Sequence, residues 1–247
     1  MKKEKAWFEE WFDSPFYHIL YGHHDDREAR ELIQNLIDYL NPSSDSVFLD
    51  LACGKGRHSR VLNELGFETY GIDLSPNSIE SASQHCNERL HFTVHDMREV
   101  YKPASFDYVL NLFTSFGYFD DRDDLIKTLH AVYHELKPGG TLVIDYLNIG
   151  KIRKNLGDGV KEVIERDGIE FHTEKQIKDG FVEKEISFRH KRGRYHYTER
   201  VAALDLPIFR DLLQKAGFSL QTIAGDYQFT EYNEDISDRL ILVATKL

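Results

Sequence analysis

Val47-Phe-Leu-Asp-Leu-Ala-Cys-Gly-Lys-Gly-Arg-His-Ser59 decides how the rest of the chain is read: an apolar run with an acid inside it, then two glycines opening a helical pattern. It predicts strand, tight turn and helix, with Gly54 and Gly56 letting a ligand approach the backbone and the free N–H groups of the helix start. A dinucleotide fingerprint needs G-x-G-x-x-G, but Ser59 stands in the last glycine's place. Asp50, four residues before Gly54, separates the ligands further. A carboxylate repels a pyrophosphate and attracts an ammonium or a sulfonium, so a partly cationic ligand is expected.

Asp50-Leu-Ala-Cys-Gly-Lys-Gly56 resembles the first motif of the class I S-adenosylmethionine-dependent methyltransferases, with Ala52 where their first glycine often stands. Tyr70-Gly-Ile-Asp-Leu-Ser75 then puts Asp73 at a second strand end, where an acid binds both ribose hydroxyls. His95-Asp-Met97 closes a third strand where that family holds the adenine. Phe106 to Phe119 and Leu136-Lys-Pro-Gly-Gly-Thr-Leu142 resemble its fourth strand and the turn before its fifth. The resemblance covers residues 45–148 and 204–247. It implies S-adenosyl-L-methionine as cofactor, held by Asp50, Ala52, Cys53, Gly54, Gly56, Asp73, Leu74, Asp96, Met97 and Asn111. Asp96 would contact the adenine amino group, Met97 would pack on the ring, and Asp50 would orient the turn and attract the methionine ammonium. Asp is also a common turn former and helix cap, and that reading stays open for each of these acids.

The chain of 247 residues is 41% hydrophobic, enough for one α/β domain with an insertion. No stretch is long or apolar enough to span a membrane, and the amino terminus leads into no signal-peptide core, so a cytoplasmic protein is expected. Cys53 and Cys86 show no metal spacing. The net charge of −11 argues against a broad phosphate-binding face, so nucleic acid substrates are disfavoured. Lys191-Arg-Gly-Arg194 is the single basic candidate, with a solvated hairpin tip as the plainer alternative.

Trp7, Phe8, Trp11 and Phe12 stand at helical spacing, interrupted at Pro15. Phe16 to His24 concentrates aromatic and titratable groups; it resembles in position the segment that lies over the cofactor in many small-molecule methyltransferases. Tyr17, Tyr21 and His23 are lid candidates, although Tyr17 also suits packing between helices. A helix capped by Asp25 or Asp26 runs to Leu40. Then come strands at 46–51, 68–73, 90–95, 106–111 and 141–147 and helices at 56–65, 76–87 and 121–136. The alternation implies a parallel sheet whose ligands sit at the carboxyl ends of the strands. The resulting expectation is a three-layer Rossmann-like fold with a seven-stranded sheet, the last strand antiparallel as in the family, and an antiparallel β lid inserted after strand five. Asp167-Gly168 and Asp179-Gly180 mark its hairpins, and Tyr195, Tyr197 and Glu199 continue it. Three regions follow: N-terminal helices over 1–45, a cofactor-binding unit over 46–149 and 204–247, and the β subdomain over 150–203. A helix with Pro207 near its start, stopped by Gly217, and strands at 218–224 and 240–244 complete the chain.

The expected activity is methyl transfer to a nitrogen or oxygen of a small molecule. Tyr118, Phe119 and Tyr21 could turn ring faces to a cation, and Tyr146 and Tyr227 join Tyr118 and Phe119 as candidates for touching the acceptor. His23 is the first candidate base and Asp226 the second. Asn111-Leu-Phe-Thr114 lacks the Asn/Asp-Pro-Pro-Tyr/Phe motif of enzymes that methylate amino groups of bases and glutamine. The competing readings are a catalytically silent cofactor-binding module serving a protein partner, a methyltransferase acting on protein or RNA, and a nicotinamide enzyme. Oligomeric state is left open, with a homodimer through the insertion as one form.

Overall fold

The structure, a computed structural model, describes residues 11–12, 14–21, 26–119, 121–157 and 159–247. Trp7, Phe8, His23 and Asp25 lie outside them, and so do the roles expected of them.

The main sheet holds seven strands: β1 (Val47–Leu51), β2 (Glu68–Asp73), β3 (Leu90–Val94), β4 (Phe106–Asn111), β5 (Leu136–Leu147), β10 (Phe218–Ala224) and β11 (Arg239–Lys246). Their order is β10-β11-β5-β4-β1-β2-β3, with β11 antiparallel to both its neighbours and the other pairs parallel. Strands covered on both faces should be apolar at consecutive positions, and the central strands β1, β4, β5 and β11 are, as in Val47-Phe-Leu49, Val109-Leu110, Leu142-Val-Ile144 and Leu240-Ile-Leu-Val243. Leu49, Val109, Leu142, Ile144 and Leu242 pack against Leu125 and Leu129 of α5 (Arg122–Glu135) and Phe209 and Leu212 of α7 (Leu206–Lys215). Phe48, Leu110, Val143 and Ile241 face the other way, onto Leu32, Ile33 and Leu36 of α2 (Asp26–Leu40) and Val61 and Leu62 of α3 (Arg57–Glu64).

Pro15 does not simply interrupt the amino-terminal segment. It stands in the first turn of α1 (Pro15–Leu20), whose Phe16 N–H donates to the hydroxyl of Ser14, because proline has no N–H to lose at a helix start. α4 (Pro76–Ser83) is capped by Ser75 as expected but ends four residues short of 87. β5 begins at Leu136, earlier than expected, because the Lys-Pro-Gly-Gly stretch stays beside β4 through an irregular register.

Between β5 and the insertion the chain forms α6 (Ile149–Leu156), absent from the sequence expectation. Asn148 caps it and donates to the carbonyls of Asn233, Glu234 and Ser237, which ties the exit of β5 to the loop before β11. The insertion is a four-stranded antiparallel meander, β6 (Val160–Arg166), β7 (Ile169–Lys178), β8 (Phe181–His190) and β9 (Gly193–Ala202). Both Asp-Gly pairs form its turns with positive φ at each residue, 50° and 73° at Asp167 and Gly168 and 49° and 82° at Asp179 and Gly180. That is the geometry the right-handed twist of a hairpin selects. Lys191-Arg-Gly-Arg194 is the third hairpin tip.

One face of this meander carries two apolar zones. Ile169, Phe171, Ile186 and Phe188 close over Trp11 and Leu20 of the amino-terminal segment. Val182 and its partner Val201 join the main core, as does Ala202 at the end of β9, whose carbonyl accepts from the Tyr146 hydroxyl at 2.6 Å. The insertion therefore lies over the carboxyl end of the main sheet, pinned at both ends.

Candidate active site

The turn after β1 uses three left-handed residues, Ala52 at φ 55°, Gly54 at 56° and Gly56 at 77°. The two glycines serve different ends. A Cβ on Gly54 would meet nothing within 4 Å, whereas one on Gly56 would sit 2.4 Å from the Phe92 ring. Gly54 therefore faces open space, and Gly56 is needed so that α3 can start against β3. Of the two glycines expected to admit a ligand, Gly56 is also required by packing against Phe92.

Asp73, ending β2, accepts from the Gly54 N–H at 2.9 Å and from the Ser75 N–H at 2.8 Å. Its carboxylate links the glycine turn to the cap of α4. Asp50 is buried in β1, and the Ser59 hydroxyl of α3 donates to it at 2.6 Å. Burial, with the charge of Asp73 adding, pushes its carboxyl up to about 7 against the hydrogen bond from Ser59. Cys53 is buried between the turn and Gly71, and burial raises its thiol well above the usual range.

Along the rim Leu74 leaves a large apolar side chain 40% exposed, the form an aromatic base would cover. Asp96 is clamped by Nε and Nη2 of Arg98, which also reaches Asp124. Burial works against ionisation there, but the guanidinium outweighs it and holds the Asp96 carboxyl low. Asn111 ends β4 fully buried; its amide Nδ2 lies 3.7 Å from the Met97 sulfur and its Oδ1 has no partner. His58, in the first turn of α3 and 5.2 Å from the Phe113 ring, is driven down to about 3 by burial, and its Nε2 is also unpartnered. An open glycine flank, an acid at the next strand end, an exposed leucine and two orphaned polar atoms fit a nucleoside bearing an amino-acid tail.

The acceptor side begins where β4 ends. Phe113 and Thr114 are both left-handed, at φ 55° and 70°, which is costly for a β-branched threonine. Asp145 holds this turn. It accepts from the Phe113 N–H at 2.9 Å, from Arg239 Nε at 2.7 Å and from the Tyr227 hydroxyl at 3.3 Å, while Arg239 Nη2 donates to the Thr114 hydroxyl at 3.0 Å. Tyr227 is thus held at the carboxyl end of β5.

Above this turn the amino-terminal segment meets the insertion. Glu199 of β9 accepts from the Trp11 indole at 2.6 Å and from the Tyr21 hydroxyl at 2.8 Å, and Lys184 of β8 donates to Tyr21 at 2.8 Å. Tyr17 packs on Tyr21 with ring planes tilted by 49° and centroids 5.0 Å apart, and the Tyr118 and Phe12 ring centroids are 5.2 Å apart. Burial, then the charge of Glu199, raises the hydroxyl of Tyr17 to about 12 and that of Tyr21 further. Burial and Tyr17 do the same to Tyr118.

Two expected acceptor residues, Tyr146 and Phe119, and the second candidate base, Asp226, are otherwise engaged, and the ring of Tyr21 is covered. Tyr146 is fully buried with its hydroxyl spent on Ala202, because β5 turns it into the core beneath the insertion. Phe119 packs into the same core with the Arg98 guanidinium 5.1 Å from its ring centre. Asp226 folds back on its own loop, accepting from the N–H groups of Gln228 and Thr230 and from the Thr230 hydroxyl. Although burial raises its carboxyl, those bonds hold it below the usual range, so it is a turn former and a poor base. Tyr21's ring has Lys184 Nζ 4.9 Å from its centre.

Sequence reasoning passed over Arg239, Lys184, Lys175 and Trp11 as site residues, and read Glu199 only as part of a strand. Arg239 reads as a polar strand end until β11 lands beside Asp145. Lys184 carried a signal, since it breaks a run of apolar residues at every second position, Val182, Ile186 and Phe188; in β7 the run Ile169 and Phe171 gives way to Thr173 before Lys175.

Residues 48–140 match the family described as a methyltransferase domain. The chain is 32% identical over 207 residues to the glycine/sarcosine N-methyltransferase of Aphanothece halophytica, covering 80% of this chain and 75% of that one. Over 116 residues it is 31% identical to the dTDP-3-amino-3,4,6-trideoxy-alpha-D-glucopyranose N,N-dimethyltransferase of Streptomyces venezuelae, covering 46% of this chain and 47% of that one. Its fold matches the crystal structure of an S-adenosylmethionine-dependent methyltransferase from Clostridium acetobutylicum ATCC 824 with a TM-score of 0.76, at 24% identity over 94% of this chain and 96% of that one. The chain belongs to the class I S-adenosylmethionine-dependent methyltransferases, and its cofactor is S-adenosyl-L-methionine.

Proposed function

We propose that this methyltransferase modifies the nitrogen of a small-molecule amine, with the cofactor held over residues 46–149 and 204–247 and the acceptor enclosed by the amino-terminal segment and the insertion, 150–203. Asp73 would take the ribose hydroxyls, Leu74 and Met97 the adenine faces, Asp96 its amino edge, and Ala52 to Gly54 with Asn111 the methionine tail; Asp50 and Gly56 shape that turn from behind. The cofactor supplies a methyl group on a sulfonium, already activated toward a nucleophile.

What the protein adds is alignment. The observation that carries the amine reading is the set of hydroxyls of Tyr17, Tyr21 and Tyr118 gathered about the Glu199 carboxylate, beside the strained turn at Thr114. Raised as they are, these phenols stay protonated at neutral pH, so they orient an N–H through their oxygen lone pairs and do not act as bases. A carboxylate behind them favours an acceptor that gains positive charge as the methyl arrives. The two N-methyltransferase relatives support the same nucleophile. A cytoplasmic location accords with two free thiols and with the absence, among the described residues, of any helix long and apolar enough to cross a membrane.

The test is product analysis by mass spectrometry with a panel of amines, alcohols, thiols and carboxylic acids. Methylation confined to the amines is expected. Methyl esters or ethers without N-methyl products would overturn the reading.

A further inference from the structure

β7, β8 and β9 pair so that Lys175 stands opposite Lys184 and Lys184 opposite Glu199. Residues opposite one another in an antiparallel pair share a face. Around the row this face carries Phe171, Ile177, Val182, Ile186, Tyr197 and Val201 in the same alternation, with Thr173 beside Lys175 and Glu162 opposite Thr173 as its polar members. The three charges form one polar band across the insertion, between the zone that closes on Trp11 and the zone that packs on the main sheet. The band meets the tyrosine cluster, since Lys184 and Glu199 both bond Tyr21.

Two ammonium groups directly opposite each other repel, and sheets avoid such pairs unless something compensates. Lys184 has the Tyr21 hydroxyl. Lys175 is half-buried with no hydrogen bond or ion pair to any described residue. Burial, then the charges of Lys184 and Arg239, push it below the usual lysine range in spite of Glu199 and Glu162. A lysine held against its own preference beside a binding region marks a place completed by an anion.

Resting on the methyltransferase reading above, we infer that the acceptor carries an acidic group, a carboxylate, that docks on Lys175 with Lys184 beside it. Glu199 is engaged by Trp11 and Tyr21, and Glu162, diagonal to Lys175 on the same face, is exposed and forms no ion pair with it, so the Lys175 ammonium is the group left for a carboxylate to meet. The amine end then points from the band toward the tyrosines. Lys175 and Lys184 set which acceptors are bound, and neither exchanges a proton with the reacting nitrogen.

The experiment uses the whole chain saturated with S-adenosylhomocysteine and three ligands, glycine, β-alanine and γ-aminobutyrate, each compared with its carboxamide at constant ionic strength. Binding is read by saturation-transfer NMR, and methyl transfer is read in parallel with the methyl donor. At least one acid should bind tenfold or more tightly than its amide. Lys175→Met should erase that preference and K175R should keep most of it. Lys175→Met should also melt no lower than wild type in the absence of ligands, since it removes a like-charge pair, and this separates lost recognition from lost folding. Equal binding of every acid and its amide, or an acid preference that survives Lys175→Met, would overturn the inference. Should S-adenosylhomocysteine itself fail to bind by calorimetry, the methyltransferase reading falls. The same acid-against-amide comparison on the unliganded chain then still decides the lysine pair.

Discussion

The two sides of the rim are built in opposite ways. On the cofactor side the partners are near in sequence: Gly54 and Asp73 are 19 residues apart and Asp50 and Ser59 are 9 apart. On the acceptor side Trp11 meets Glu199 across 188 residues and Lys184 meets Tyr21 across 163. A short-range constellation must be encoded in a motif, because the strand, turn and helix that make it are consecutive. A long-range one needs only a matching side chain where two distant elements land.

The largest effect should break the equivalence of the two glycines. Gly56→Ala forces a Cβ into Phe92 and holds alanine at φ 77°, two penalties that together cost about 3–4 kcal/mol. Gly54→Ala carries only the backbone penalty, about 1 kcal/mol, since its Cβ would meet open space. Urea unfolding should show Gly56→Ala strongly destabilised. Calorimetry should show Gly54→Ala folded with weakened cofactor binding. A stable Gly56→Ala, or a Gly54→Ala that binds the cofactor normally, breaks the assignment of one glycine to packing and the other to the ligand.

Next in size is Asp73→Ala, which removes charge-assisted bonds worth about 1.5–3 kcal/mol each. Affinity for S-adenosylmethionine should fall at least about tenfold. The turn loses an acceptor too, because the carboxylate also holds Gly54 and Ser75. Unchanged affinity by calorimetry would remove Asp73 from the cofactor side.

That contrast explains what was legible. The sheet, its seven strands and the inserted meander could be read because continuous apolar strands, alternating elements and Asp-Gly turns are local signals. Asp73 and Gly54 stood out for the same reason. Tyr146 misled because an aromatic at the end of β5 looks the same whether it faces an acceptor or the underside of an insertion. Asp226 misled because its caging by Thr230 depends on a loop closing four residues on. Arg239 was invisible until the antiparallel β11 laid it against Asp145.

Tyr21→Phe tests the acceptor side alone. It deletes the bonds to Glu199 and Lys184, so the loss should be about 2 kcal/mol, seen in the acceptor's kcat/KM as roughly thirtyfold. The dissociation constant of S-adenosylhomocysteine should stay within about twofold. Weakening of both together would show that the two sides are one coupled unit.

The smallest expected effect separates two buried carboxyls that share a direction of shift. Asp50 lies on the rim, and Glu135, buried at the end of α5, accepts the Tyr101 N–H at 2.8 Å while its other oxygen has no partner. Burial raises both to about 7. A folded-state pKa above the unfolded value means that the native protein binds more protons. The stability each contributes is therefore full below about pH 4 and is lost as pH rises through 7. Each group should cost about 1 kcal/mol between pH 6 and pH 8. Glu135→Gln should flatten its share of that fall and stabilise the protein more at pH 8 than at pH 5. A cationic cofactor tail beside Asp50 favours its ionised form, so saturation with S-adenosylmethionine should flatten the remaining slope in the Glu135→Gln protein and leave the Glu135 share untouched in wild type. Denaturant titrations at pH 6, 7 and 8, with and without cofactor, read both shares. A cofactor that leaves the Glu135→Gln slope unchanged would place Asp50 outside the field of the bound methionine tail.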